Sequence, residues 1–239
     1  MQVINDPKNC CIVVTCTVDD FAVNDVTLIT EIKVYRACAS KNENSHLIGT
    51  IPINTQADLA FTFVDYYTAS GAYYEYTCYP IIGGTWGVGC TNDGMCKFDG
   101  LFIGDLNEQY MCHLNPECNS MLNFNMNYVQ TFHATYPHAI SNGNLQYYSG
   151  TVRGIFVEMG ANCNFIIETA TAYRRSLEAF LANKKTKILK TGRGDIWTIQ
   201  INGKVQEEET QYQGVGATTF EWTQVADAPA YGIVVMPSD

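Results

Sequence analysis

Charge is scarce in this sequence of 239 residues: Asp, Glu, Lys and Arg together make up 16%, against roughly 25% in an average soluble domain. Such a composition excludes an intrinsically disordered chain, which needs high charge and little apolar content. Long apolar runs are missing too; none approaches the ~18 residues that a membrane helix requires. The apolar stretch 10–18 follows Asp6 and has neither a cationic start nor a small-residue cleavage site, so no signal peptide is expected there. Basic residues number 14 against 24 acidic ones, a net charge of −10, which argues against general affinity for nucleic acid or anionic membrane. Several catalytic signatures are absent as well. There is no Gly-x-x-x-x-Gly-Lys-Ser/Thr phosphate loop, no Gly-x-Ser-x-Gly elbow, no His-Glu-x-x-His and no Cys-x-x-Cys.

What is present is apolar content of 46% and ten cysteines. At this length a chain buries about 70–75% of its unfolded surface, enough for a core without metal or disulfide support. With no export signal, the cysteines read as small buried hydrophobes of a protein made in a reducing cytoplasm. The first eighty residues are β-branched and aromatic runs separated by polar turns, predicting strands over 9–18, 26–37, 47–54, 59–66 and 72–82. In the second of these Leu28, Thr30, Ile32, Val34 and Arg36 share one face, while Ile29, Glu31, Lys33 and Tyr35 share the other. Short strands at regular spacing with no helical stretch between them predict a β-sandwich.

Residues 83–89 hold four glycines in seven positions and read as a linker. The expected division is therefore an N-terminal domain over 1–90 and a second over 91–239. In the second, a strand, a turn at Gly104-Asp105 and another strand are expected over 98–114. Leu122, Phe124 and Met126 then alternate with asparagines, and Asn142-Gly143 marks a tight turn. Helical period occurs once: Tyr173, Leu177, Phe180 and Leu181 fall at i, i+4, i+7 and i+8 within 170–185. Strands over 186–190, 195–203 and 217–227 complete a unit that is mainly β with one helix.

The segment 61–80, with Asp65 and Ser70-Gly71 in its turn and Tyr-rich alternation after it, resembles a fibronectin-type-III or immunoglobulin-like sandwich. The segments 98–120, 131–137 (Thr-Phe-His-Ala-Thr-Tyr-Pro), 141–158 with its Asn-Gly-Asn and Tyr147-Tyr148, 172–201 and 218–227 together resemble minor structural proteins of tailed-phage tails. That second resemblance implies a tail-tube-like or distal-tail-like β-sandwich or split barrel with one flanking helix. It also implies assembly into a ring around the tail channel, commonly a hexamer, next to other tail or baseplate proteins. The implied location is the virion, after synthesis in the host bacterial cytoplasm.

The chemistry weighed against this is thin. Cys90, Cys96, Cys112, His113, Cys118, His133 and His138 are zinc-ligand types, but Cys112 and His113 are neighbours on a strand and point to opposite faces. No metal, cofactor or catalytic residue is expected, and the chain is read as non-enzymatic. Arg193-Gly194-Asp195 reads as a hairpin tip. Tyr66, Tyr67, Tyr73, Tyr74, Tyr76 and Tyr79 offer a face for the alternative function, a carbohydrate- or receptor-binding module. Seven of the fourteen basic residues lie in 174–193. The expected ring contacts are the hairpin residues Asn142, Gly143, Asn144, Tyr147 and Tyr148, and a basic strip of Lys184, Lys185, Lys187 and Lys190. The strip is expected to meet Glu207, Glu208 and Glu209 of the next copy.

Overall fold

A computed structural model of the chain describes residues 1–21, 26–41, 43–141, 143–160, 162, 164–209, 215–227 and 233–236, with backbone alone for Val26, Lys41, Glu209 and Val234. The fold is mainly β. In chain order the strands are β1 (Gln2–Asp6), β2 (Cys11–Cys16), β3 (Ile29–Cys38), β4 (His46–Pro52), β5 (Phe61–Asp65), β6 (Tyr73–Ile82), β7 (Thr85–Trp86), β8 (Cys90–Met95), β9 (Leu101–Gly104) and β10 (Gln109–Cys112). They continue with β11 (Leu114–Phe124), β12 (Asn127–Val129), β13 (His138–Ile140), β14 (Gln146–Ile155), β15 (Lys187–Thr191), β16 (Ile196–Glu209), β17 (Gly216–Ala226) and β18 (Val234–Met236). The α-helix α1 (Ala170–Ala182) falls between β14 and β15. The strands pair antiparallel, as in β1 with β2, β3 with β6, β11 with β14 and β14 with β17, and among the described residues no sheet closes into a barrel.

Two compact units share the chain. The first comprises Met1–His113, Lys187–Thr198 and Ala228–Asp239; the second comprises Leu114–Thr186 and Ile199–Asp227. This division differs from the expected boundary after residue 90. The reason is local pairing: β8 aligns with β6 from Tyr73 opposite Met95 to Cys78 opposite Cys90, so the sandwich continues past the glycine-rich segment. That segment is a hairpin rather than a linker. Gly83 and Gly84 have φ of +54° and +83°, the two positive values a two-residue hairpin turn demands, and Thr85 and Trp86 pair back onto Ile82 and Ile81.

In the first unit one sheet runs β1-β2-β5-β18 and the other β4-β3-β6, with β7 and β8 both on β6. Alternation turns Ile12, Val14 and Cys16 of β2, Ile32 and Val34 of β3, Phe63 of β5, and Tyr76 and Cys78 of β6 into one shared core. Full burial of each Ile or Phe here stabilises by about 1.5–3 kcal/mol. The expected face of β3 holds for Ile32, Val34 and Arg36 but fails before them. A register shift between Ile29 and Glu31 inserts a bulge, so Ile29 is buried while Leu28 is exposed.

Arg36 stays on the buried face because Asp65 meets it there. Its Nη1 donates to both Asp65 carboxylate oxygens at 3.0 and 2.8 Å. Asp65 also accepts from the Tyr67 backbone N–H at 2.8 Å and the Tyr76 hydroxyl at 2.9 Å. Both acidic oxygens are thus satisfied inside the sandwich, as a buried charge must be. Asp65, expected in a turn, instead ends β5 fully buried. Strand β15 joins this unit through β9, with Leu189 opposite Ile103.

In the second unit the strand order is β16-β17-β14-β11, with β12 and β13 as a separate hairpin. Gly150 of β14 lies opposite Ser120, and a Cβ there would run into the Asn119 carbonyl oxygen. Helix α1 buries Ala170, Leu177, Phe180 and Leu181; of the stripe that the sequence period predicts, Leu177, Phe180 and Leu181 are buried and Tyr173 is half-buried. The Thr169 hydroxyl at its start makes no capping bond; it donates to Glu158 at 3.0 Å.

Candidate interaction surface

The apolar residues of the 121–148 segment point to solvent. Along β11 and β14 the register sets Leu122 against Tyr148, Phe124 against Gln146 and Asn123 against Tyr147. Leu122, Phe124 and Tyr148 therefore share one face, with Met121 and Tyr147 on the other. Asn123 ties the pair together, donating from Nδ2 to Ser149 Oγ at 2.8 Å. Pairing of β14 with β17 begins only at Ser149, so the Gln146–Tyr148 end lies beyond the β17 backbone ladder; there Tyr148 N donates to Gln224 Oε1 at 3.0 Å. Beyond it, the β12–β13 hairpin matches Tyr128 with Ala139 and Val129 with His138. Phe124, Tyr128, Tyr136 and Phe132 are 63%, 67%, 79% and 93% exposed. Leu145 and Tyr147 line a groove of about 400 Å³ with Thr223, Gln224 and Val225 at the foot of this arm.

Strand β11 is also an open edge. It is paired on one side, by β14, and among the described residues no strand covers the other. Pro116, within β11, fits that place, since proline cannot donate to a second ladder. Eleven residues of largely exposed edge strand form a template for strand addition.

Of the expected ring contacts, Gly143 and Asn144 are exposed, Tyr148 is on the surface and Tyr147 is half-buried; Asn142 lies outside the described residues. Gly143 has φ of +101°, which suits a turn. The basic strip needs correction. Lys184 and Lys185 are exposed, but Lys187 and Lys190 are buried at 1% and 0% exposure and present nothing to a neighbouring subunit. Lys190 Nζ donates to the carbonyl oxygens of Cys10 and Tyr66 and lies 4.3 Å from the Phe102 ring centroid and 5.2 Å from that of Phe98. Burial pushes its pKa down to about 8. The acids are partly engaged within the chain: Glu207 faces Arg174 at 3.0 Å and Glu208 faces Arg153 at 3.0 Å. The side chain of Glu209 lies outside the described residues.

Arg193-Gly194-Asp195 is a hairpin tip, with Gly194 at φ +96° and Thr191 Oγ1 donating to Asp195 at 3.1 Å. The Tyr-rich set does not form one face, because Tyr74 and Tyr76 are core residues. An aromatic corner does form elsewhere in the first unit. Tyr35, Tyr79 and Trp86 have ring centroids 5.5–5.9 Å apart, Lys33 Nζ is 5.0 Å from the Trp86 centroid, and Trp86 is 54% exposed. The seven Cys and His residues weighed as zinc ligands are not gathered. Among the described residues the group of three or more potential metal ligands is a different one, Cys16, Cys78 and Cys90.

The exposed arm and the aromatic corner both escaped the sequence. Alternation with asparagines showed that one side of 122–126 is apolar, yet periodicity is silent on whether the same chain covers it. Trp86 lay in what read as a linker.

No protein-family model matches the chain, and no curated protein matches it. Among solved structures it is similar to a chain from the virion of a native gene transfer agent (GTA) particle. The two are 11% identical with a TM-score of 0.33, over 58% of this chain and 96% of that one.

Proposed function

We propose that this protein is a non-enzymatic structural component of a phage tail, at the tail tip, adaptor or baseplate, that oligomerises with copies of itself around the tail channel. The observation that carries the reading is the apolar arm of residues 121–148 beside the open edge of β11. Burying the Phe124, Tyr128, Phe132 and Tyr136 rings removes on the order of 500 Å² from water on each copy. That is a large part of the ~800 Å² per partner in a standard interface. A cyclic arrangement covers the arm and the edge of every copy at once, leaving no strand end open. Sixfold symmetry and contacts to other tail proteins belong to the same proposal.

The test is the solution mass of the full chain by light scattering over a range of concentrations, with wild type beside a variant carrying Phe124→Ser, Tyr128→Ser, Phe132→Ser and Tyr136→Ser. The expected result is a closed oligomer of defined stoichiometry that the variant loses while its thermal unfolding is unchanged. Equal mass for both proteins removes the arm as the interface.

The second reading, a carbohydrate-binding module, is favoured by the aromatic corner of Tyr35, Tyr79 and Trp86, since exposed rings stack on apolar sugar faces. Glycan-array binding that Trp86→Ala abolishes supports it over the first.

A further inference from the structure

Three thiols from three strands meet in the sandwich. Cys16 ends β2 in one sheet; Cys78 and Cys90 face each other across β6 and β8 in the other. Their sulfurs all lie within 4.8 Å of one another, and Cys16 Sγ is 3.8 Å from Cys78 Sγ. A fourth sulfur is adjacent, with Met1 Sδ 4.0 Å from Cys90 Sγ. Sulfurs bound to one ion at about 2.3 Å stand about 3.8 Å apart in a tetrahedral site and about 4.0 Å apart in a trigonal one. The Cys16–Cys78 separation is that of two ligands on one ion, and the Cys90 sulfur lies within 4.8 Å of both.

We propose that Cys16, Cys78 and Cys90 form a three-thiolate site for a single thiophilic d¹⁰ ion, zinc or copper(I), with the Met1 thioether as the fourth sulfur. Thiolate and thioether donors select these ions over magnesium or calcium. Cys16 and Cys78 are fully buried, while Cys90 is half-buried, which gives the ion a way in from β8. Each thiol that becomes a ligand releases its proton as its sulfur binds the ion. The ion would join the two sheets, with Cys16 from one and Cys78 and Cys90 from the other.

The experiment is titration of the reduced, metal-stripped full chain with zinc and, separately, with copper(I) under anaerobic conditions. Bound metal is read by elemental analysis after gel filtration. The expected result is one equivalent bound and a higher Tm, with affinity at least tenfold weaker in Cys90→Ser and Cys16→Ser and unchanged in Cys118→Ser. The ion that survives competition identifies the occupant. Should either core variant misfold, metal-dependent slowing of Cys90 alkylation in the wild type, followed by mass spectrometry, reads the same site. A reduced wild-type chain that folds yet takes up neither ion overturns the proposal; so does metal uptake that Cys118→Ser weakens as much as Cys90→Ser.

Discussion

Removing the charge on Asp65 isolates Arg36 inside the sandwich. Asp65 is fully buried and Arg36 is 8% exposed, and four hydrogen bonds from three residues converge on the carboxylate. Asp65→Asn leaves the shape nearly unchanged but strands a guanidinium in a site without a counter-charge, at a cost of about 3–5 kcal/mol. For a chain of this length each kcal/mol shifts Tm by about 2–4 °C, so the expected fall is about 6–20 °C. The double variant Arg36→Met/Asp65→Leu removes both charges and keeps the volume. Its loss is expected to stay well below the sum of the two single losses, because what remains is the orphaned Tyr76 hydroxyl and Tyr67 N–H at about 1–3 kcal/mol each. Urea unfolding followed by near-ultraviolet circular dichroism measures all variants, including Arg36→Met alone and Asp65→Leu alone to close the cycle. A loss below about 1 kcal/mol for Asp65→Asn, or a double variant whose loss equals the sum of the singles, would refute the account of a coupled buried pair.

Other outcomes follow from the same geometry. Lys190 has a folded-state pKa of about 8 against 10.5 for the free side chain, so its contribution to stability is present above pH 10.5 and is lost as pH falls through 8. Stability of the wild type relative to Lys190→Met is therefore expected to rise by about 3 kcal/mol between those limits; a difference that stays flat with pH, measured by chemical unfolding, contradicts it. Gly150→Ala is expected to cost about 1–3 kcal/mol by forcing β11 away from β14, visible as faster amide hydrogen exchange at Asn119 and Ser120. Arg153→Ala is expected to leave stability nearly unchanged, because its bonds to Glu208 and Glu117 lie at the surface, and unfolding at two salt concentrations checks this.

Alternation was enough to read the strands β2 to β6 from sequence, and the 3.6-residue period was enough for α1. Placing Arg36 with Ile32 and Val34 already contained the buried ion pair; what hid it was that Asp65 sits in a different sheet, 29 residues away. Cys78 and Cys90 flank one hairpin and could have been placed within one residue of each other by counting outward from the turn at Gly83-Gly84, which sets Cys78 against Gly89; a one-residue shift between β7 and β8 puts Cys90 there instead. Cys16 could not, because contacts between sheets leave no local period. Lys187 and Lys190 misled for a related reason. Charge type predicts exposure on average, and the burial of Lys190 depends on carbonyls and rings supplied by residues 10, 66, 98 and 102.

Lys190 reaches the Cys10 carbonyl across 180 positions, and the closing strand of the first sheet, β18, lies still later in the chain. On the ribosome, Ile12, Phe63 and their neighbours emerge long before the segment that plugs the middle of their unit and the strand that completes their sheet. During synthesis the incomplete sandwich keeps an open β5 edge for as long as the rest of the chain takes to appear, an interval in which chaperone binding or association with another nascent chain can intervene. The two units, each assembled from separated stretches, cannot be cut out as contiguous fragments. A shortened gene product ending near residue 113 retains five strands' worth of alternating core yet lacks Lys190 and β18, and insolubility is its expected fate.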